Sequence, residues 1–311
     1  MRRLKLNPHS QAGNRTILHE NLHETEFFKN VVNNINGVPP QFPESALAAS
    51  SPHILIACMP KSASTYLTVL VEEYLAFDNV PLCFDFGSSE QDLYLPNLLY
   101  FNADSTVSQH HLRATEANLK MINTFDIKTV LVVRDIGDAL VSLRDQVTKS
   151  IPENLTAKIP DDFADWSTDR QMDLIIDFAG PWFVQFFVTW WHASAKGKVS
   201  PLWINYENLT RDPVEELLRI AAFVGVPSDP ATARAAVQRS EARFTRYNKG
   251  VSGRGMNTLS LRQILRLRRL IRNYDDVNFR MIAQPYSRPL LSILADFAVG
   301  RLRQLFLRRQ K

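Results

Sequence analysis

Residues 53–58 are a short apolar run that stops at Pro60, passes through Lys61-Ser62-Ala63-Ser64-Thr65, and resumes at helical spacing from Tyr66 to Leu75. The pattern predicts a buried strand, a tight turn and a helix, because proline ends the strand and the apolar period then changes. Ser62 to Thr65 fall at the start of that helix, where free backbone N–H groups and the helix dipole favour an anion. The hydroxyls of Ser62, Ser64 and Thr65 add donors and Lys61 adds a full charge. The alternative for this stretch alone is an ordinary capped helix with a solvated lysine.

Downstream, residues 129–135 repeat the arrangement: a β-branched apolar run ends at Arg134-Asp135, Ile136-Gly137 turns the chain, Asp138 is placed to cap, and a helix carries Ser142. Further strands are expected at 80–86 and at 201–207, the latter ending in Tyr206-Glu207, with helices at 173–191 and 214–223. Strands alternating with helices predict an α/β fold, a parallel sheet flanked by helices. Ligands in such sheets sit at the carboxyl ends of the strands, where Lys61 and Arg134 both fall. The aromatic helix at 173–191 reads as core. The polar stretch 105–112 contains the pair His110-His111, and 248–255 is a glycine-dense loop with Lys249 and Arg254 that suits an anion or a plain connector. The loop at 150–169 has the length of an active-site lid.

The 311 residues suit one large domain or two small ones, and the two cysteines give no disulfide framework and no metal-ligand spacing. No run approaches the roughly 18 apolar residues of a membrane span. These features lead to the expectation of a soluble, cytoplasmic protein with a polar leader (residues 1–50), a main domain (51–286) and a tail (287–311). The tail carries net +5, so the rest of the chain holds −1 of the total of +4. No nucleic-acid partner is expected, because the basic balance lies in the tail and no nucleic-acid-binding motif is present.

Taken together, the three anion-suited loops resemble those of the PAPS-dependent sulfotransferases, which transfer a sulfuryl group from 3′-phosphoadenosine 5′-phosphosulfate and release PAP. Residues 60–67, Pro-Lys-Ser-Ala-Ser-Thr-Tyr-Leu, are similar to the family's 5′-phosphosulfate loop, commonly P-K-S-G-[ST]-T-[WF]-L. Residues 132–138 with Ser142 resemble its 3′-phosphate motif. Tyr206-Glu207 falls where many members have a YE pair, and Asn248-Lys249-Gly250 occupies the place of the R-K-G loop. The resemblance implies the P-loop-like sulfotransferase fold and no metal. It further implies that Lys61 and the Ser62, Ala63, Ser64 and Thr65 loop hold the phosphosulfate and that Tyr66 stacks on adenine. Arg134, Ser142, Lys249 and Gly250 take the 3′-phosphate, and Tyr206 belongs to the donor site. The family's T-H-L pattern places the catalytic base at His111, with His110 as the competitor. Three departures stand out: Ala63 replaces a glycine and must avoid positive φ or accept strain, Gln109 stands where some members have a lysine, and Asn248 replaces an arginine for which Arg254 is a candidate substitute.

The implied reaction is in-line transfer to a hydroxyl, less readily an amine, of a small-molecule, saccharide or lipid acceptor. Two rivals are a nucleotide-dependent kinase, disfavoured because the lysine precedes the small residues, and an inactive fold serving as a membrane-peripheral or partner-binding module. The second is motivated by the basic amphipathic tail, whose apolar face could equally pack on the domain or on another subunit of a homo-oligomer.

Overall fold

The computed structural model describes residues 51–83, 91–150, 158–243 and 252–309. The leader, residues 151–157 of the lid-length loop at 150–169 and the loop carrying Asn248, Lys249 and Gly250 lie outside the described residues.

Five strands form one sheet in the order β2-β3-β1-β4-β5, and every pairing is parallel. They are β1 (His53–Cys58), β2 (Asp78–Asn79), β3 (Thr106–His110), β4 (Lys128–Val133) and β5 (Leu202–Asn205). The centre belongs to β1, all six of whose residues are buried. Its side chains alternate between two cores, as strand geometry requires. Leu55 and Ala57 join Leu131 and Val133 on one face, and Ile54, Ile56 and Cys58 join Val130, Val132 and Ile204 on the other.

The first of those faces is covered by α4 (Ile136–Lys149), α5 (Thr168–Ala195), α10 (Leu261–Ile271) and α11 (Arg280–Ser287). The second is covered by α1 (Ser64–Leu75), α7 (Pro213–Val224) and α8 (Pro230–Arg243). Shorter helices α2 (Leu95–Phe101), α3 (Glu116–Thr124), α6 (Tyr206–Arg211) and α9 (Arg254–Thr258) link them. The chain closes with α12 (Leu290–Arg309). Ile293 of α12 is buried in the first core while Leu291 is 80% exposed, so the start of the tail helix packs on the domain through one side only.

Several expectations change. No strand forms over the described part of the expected 80–86, residues 80–83: the two-residue β2 lies just before it, Cys83 makes an isolated antiparallel bridge to Leu93, and 84–86 lie outside the described residues. The stretch 105–112, read as merely polar, contains β3. Its polar side chains are buried because each finds an internal partner: Thr106 Oγ1 meets His53 Nδ1 at 2.7 Å, and Ser108 Oγ meets His110 Nε2 at 2.5 Å. Tyr206 and Glu207 do not end a strand; Asn205 caps α6 at 2.8 Å from the Asn208 N–H, and the pair forms its first turn. α5 is long and apolar enough to cross a membrane, but 56% of its apolar window is buried within the molecule, as a core helix requires.

Arginines of α10 are paired across to α5. Asp169, Asp173 and Asp177 recur every turn along α5, and Arg262 and Arg266 of α10 reach across to them, Arg262 to Asp173 at 2.5 Å and Arg266 to Asp173 at 3.0 Å. Burial works against the Asp173 carboxylate, but Arg262, Gln263 and Arg266 outweigh it and hold its pKa below the ordinary value. Replacement of Asp173 by Asn is expected to cost about 0.5–1 kcal/mol in urea unfolding at neutral pH, since the ladder is partly solvated. A depressed carboxylate stabilises the fold above its unfolded pKa of about 3.9 and loses that contribution as pH falls through its folded pKa, so wild type and variant converge in acid.

Candidate active site

Because all five strands are parallel, their carboxyl ends share one edge, and most of the residues singled out from sequence converge there. β1 delivers Lys61 and the 62–65 turn, β3 delivers His111, β4 delivers Arg134 and, through α4, Ser142, and β5 delivers Tyr206. Lys249 and Gly250 lie outside the described residues.

The turn after β1 is built on two residues in the left-handed region, Lys61 at φ 67° and Ala63 at φ 66°. The backbone therefore takes the second of the two courses open to an alanine in place of glycine and accepts the strain, about 1 kcal/mol for such a residue. The buried Ser62 hydroxyl donates to the Met59 carbonyl at 2.6 Å, closing the turn from inside. Ala63 is the N-cap of α1 and makes no side-chain capping bond, which leaves the first N–H groups of a twelve-residue helix without a side-chain acceptor from the cap. Ser64 is buried and Thr65 is exposed. Tyr66 belongs to the second core with Ile54 and Ile56, with 7% of its surface exposed.

Arg134 is 5% exposed. It donates to the Lys61 carbonyl at 3.0 Å and lies over the Tyr206 ring at 3.8 Å from its centroid. One guanidinium thus ties the ends of β1, β4 and β5 together, and the cation–π contact gives Tyr206 a definite role. The Lys61 ammonium donates to Gln146 Oε1 of α4 at 2.8 Å. Ser142 is buried on the same helix.

The two histidines separate by environment. His110 is fully buried, and its Nε2 accepts from the Leu82 N–H at 3.0 Å. Burial, with the charge of His111, pushes its pKa down to about 3. His111 is partly exposed. Its Nδ1 lies 2.9 Å from the Cys58 carbonyl oxygen, and its ring stands edge-on to Trp182 at 6.5 Å between centroids. Burial pushes the imidazolium down, but the contacts with Cys58 outweigh it and raise the pKa to about 9, with Lys61 opposing.

Sequence reasoning missed a second layer. Asp135, not Asp138, caps α4, accepting from the Asp138 N–H at 3.1 Å. The Asp138 carboxylate is thereby free to accept from the N–H groups of Gly253 at 2.7 Å and Gly255 at 2.6 Å. Here Gly137 and Gly255 meet backbone to backbone: a Cβ on Gly255 would lie 2.8 Å from the Gly137 carbonyl carbon, and one on Gly137 would strike the Tyr286 hydroxyl. Arg254 is bound to Asp145, which also holds Arg144 at 2.6 Å. The two acids three residues apart after a strand were the available signal: one caps, and the other needs a partner from elsewhere.

A family model described as a sulfotransferase domain matches residues 51–258. No curated protein matches the chain. Among solved structures, mouse sulfotransferase SULT7A1 complexed with PAP is similar at TM-score 0.54 and 14% identity, covering 75% of this chain and 88% of that one. Sulfotransferase STF9 from Mycobacterium avium is similar at TM-score 0.45 and 12% identity, covering 86% of each. At these identities the likeness concerns the fold. Among the described residues no group of metal-ligating side chains is found.

The strained turn and the buried acid are both testable. Changing Ala63 to Gly should relieve the left-handed alanine and stabilise the protein by about 0.5–1 kcal/mol, read as a raised thermal midpoint. Asp135 has its pKa pushed up to about 7, first by burial and then by the Asp138 charge. A raised carboxyl pKa gives stability that is full below the unfolded value and lost as pH rises through the folded one. Asp135→Asn, which keeps a capping side chain, should match wild type near pH 4 and exceed it by about 1 kcal/mol or more at pH 8 in chemical unfolding.

Proposed function

The chain belongs to the sulfotransferase family, and we propose that it transfers a sulfuryl group from PAPS to a hydroxyl of a small-molecule acceptor, with His111 as the base. The observation that carries this reading is the convergence of Lys61, Arg134 and His111 on one sheet edge around a helix N-terminus. Two cationic side chains and a dipole suit a donor with two separate anionic groups, and a histidine suits an acceptor that must lose a proton.

In this reading the 62–65 turn and Lys61 hold the 5′-phosphosulfate, and Arg134 and Ser142 hold the 3′-phosphate with Lys249 and Gly250. Tyr66 meets the adenine, and Tyr206 keeps Arg134 flat against its ring. Lys61 leaves Gln146 for the bridging oxygen, where its charge offsets the negative charge developing on the departing phosphate. The acceptor oxygen forms its bond to sulfur while the sulfur–phosphate oxygen bond breaks, and the acceptor proton passes to His111. Positioning and fixed charge supply the acceleration, much as in phosphoryl transfer.

His111, not His110, is the base in this reading because His110 Nε2 already accepts from Leu82, whereas the second ring nitrogen of His111 is available for a proton. Trp182 beside His111 favours an acceptor with an apolar or aromatic body next to its hydroxyl. A cytoplasmic enzyme remains the proposed setting. The inactive-fold alternative finds support only in the exposed Leu290, Leu291 and Val299 of α12.

Transfer of labelled sulfate from PAPS into a cell extract tests the assignment. Lys61→Ala and His111→Ala should each lower the rate by about 100-fold or more while circular dichroism and thermal midpoint stay near wild type. Tight binding of ATP with Mg²⁺ and none of PAP would contradict the donor.

A further inference from the structure

The last residue of β1 makes two contacts with a single ring nitrogen. His111 Nδ1 lies 2.9 Å from the Cys58 carbonyl oxygen and 3.2 Å from Cys58 Sγ. The same sulfur lies 3.5 Å from the His110 carbonyl, to which its S–H donates. A carbonyl oxygen only accepts, so Nδ1 must carry hydrogen whether the ring is neutral or charged. With its own hydrogen directed at His110, the thiol can turn a lone pair toward the same Nδ1–H. Nε2 is then the nitrogen that gains and loses a proton.

Core packing alone does not ask for this. Cys58 is fully buried among Ile54, Ile56 and Val132, where an alanine or valine would serve, yet its sulfur sits at the rim of that cluster against the histidine. We propose that Cys58 is a positioning residue for the base: its sulfur and carbonyl together hold the Nδ1 proton of His111, so that Nε2 takes the proton of the acceptor hydroxyl. This rests on the reading of His111 as the base.

Among the described residues, four other groups bear on His111. Lys61 on the turn after β1 disfavours its charge, Gln91 Oε1 accepts from its backbone N–H at 2.7 Å, Trp182 of α5 offers an uncharged ring edge, and the adjoining His110 stays neutral. Against burial and Lys61, the Cys58 contacts keep the imidazolium favoured, up to about 9. A proton on the ring is thereby favoured, and transfer should gain as the solution becomes alkaline. Loss of the sulfur should move that gain to lower pH.

The test uses the full chain and two variants, Cys58→Ala and Cys58→Ser, with His111→Ala to assign the resonance. Nitrogen-15 histidine NMR reports both tautomer and titration without requiring activity, and transfer of labelled sulfate from PAPS into a cell extract at saturating PAPS reports the pH profile. The expected result is an Nδ1–H tautomer in wild type, a His111 titration about one pH unit lower in Cys58→Ala, and a matching displacement of the acid limb of transfer. Cys58→Ser, which restores an acceptor, should recover most of the shift, and PAPS KM should stay within about twofold in both variants, as expected of a group that acts through the histidine. An unmoved titration in Cys58→Ala, with transfer still abolished by His111→Ala, would overturn the inference and leave the base assignment standing. Undiminished transfer by His111→Ala would overturn the base assignment itself, and with it the catalytic role given to Cys58.

Discussion

The Arg134 guanidinium is the joint on which the carboxyl edge depends. It is almost wholly buried, and a buried charge is tolerated only where its hydrogen-bonding and electrostatic needs are met. The Lys61 carbonyl meets one of those needs from the end of β1, and the face of Tyr206 meets another from the start of α6. The left-handed turn at 61–63 is thus held open by an arginine 73 residues away in sequence and adjacent in space. Strain at Ala63 persists because this contact, the Ser62 bond to Met59 and the helix that follows all specify the same backbone path.

Acidic groups around that joint divide their labour by geometry. Asp135 spends its carboxylate on the N-terminus of its own helix, and Asp138 spends its own on a distant backbone. Placing two carboxyl groups beside a site meant for anions looks contrary, but each faces N–H donors, and Asp138 uses its own to join separate segments. The same logic runs along α5 and α10, where opposed acids and arginines fix the position of a helix that would otherwise show a long basic face.

Much of this was legible in the residues. β1 and β4 are continuous apolar runs ended by a turn or a charged pair, and such runs read plainly as central parallel strands. β3 was hidden because strand reading relies on apolar side chains, and Thr106, Ser108 and His110 satisfy burial by pairing with His53, with one another and with the Leu82 N–H. Lys61 and Arg134 were singled out by type and place and His111 by resemblance, and the fold brings all three to one sheet edge. Cys58 was not singled out, since a cysteine in an apolar strand has no local sign that its sulfur meets a histidine 53 positions later. Asp138 escaped for the same reason: capping is a local rule, and its true partners are 115 and 117 residues away.

The meeting of Gly137 with Gly255 has a mechanical consequence. Two backbones that touch without side chains between them cannot slide or tilt independently without losing contact with Asp138 or colliding with Tyr286. The first turn of α4 and the start of α9 therefore form one body, and any opening of the carboxyl edge to admit or release a large ligand has to bend the chain elsewhere. The natural bending points are the connections that carry neither a close glycine contact nor a carboxylate clamp.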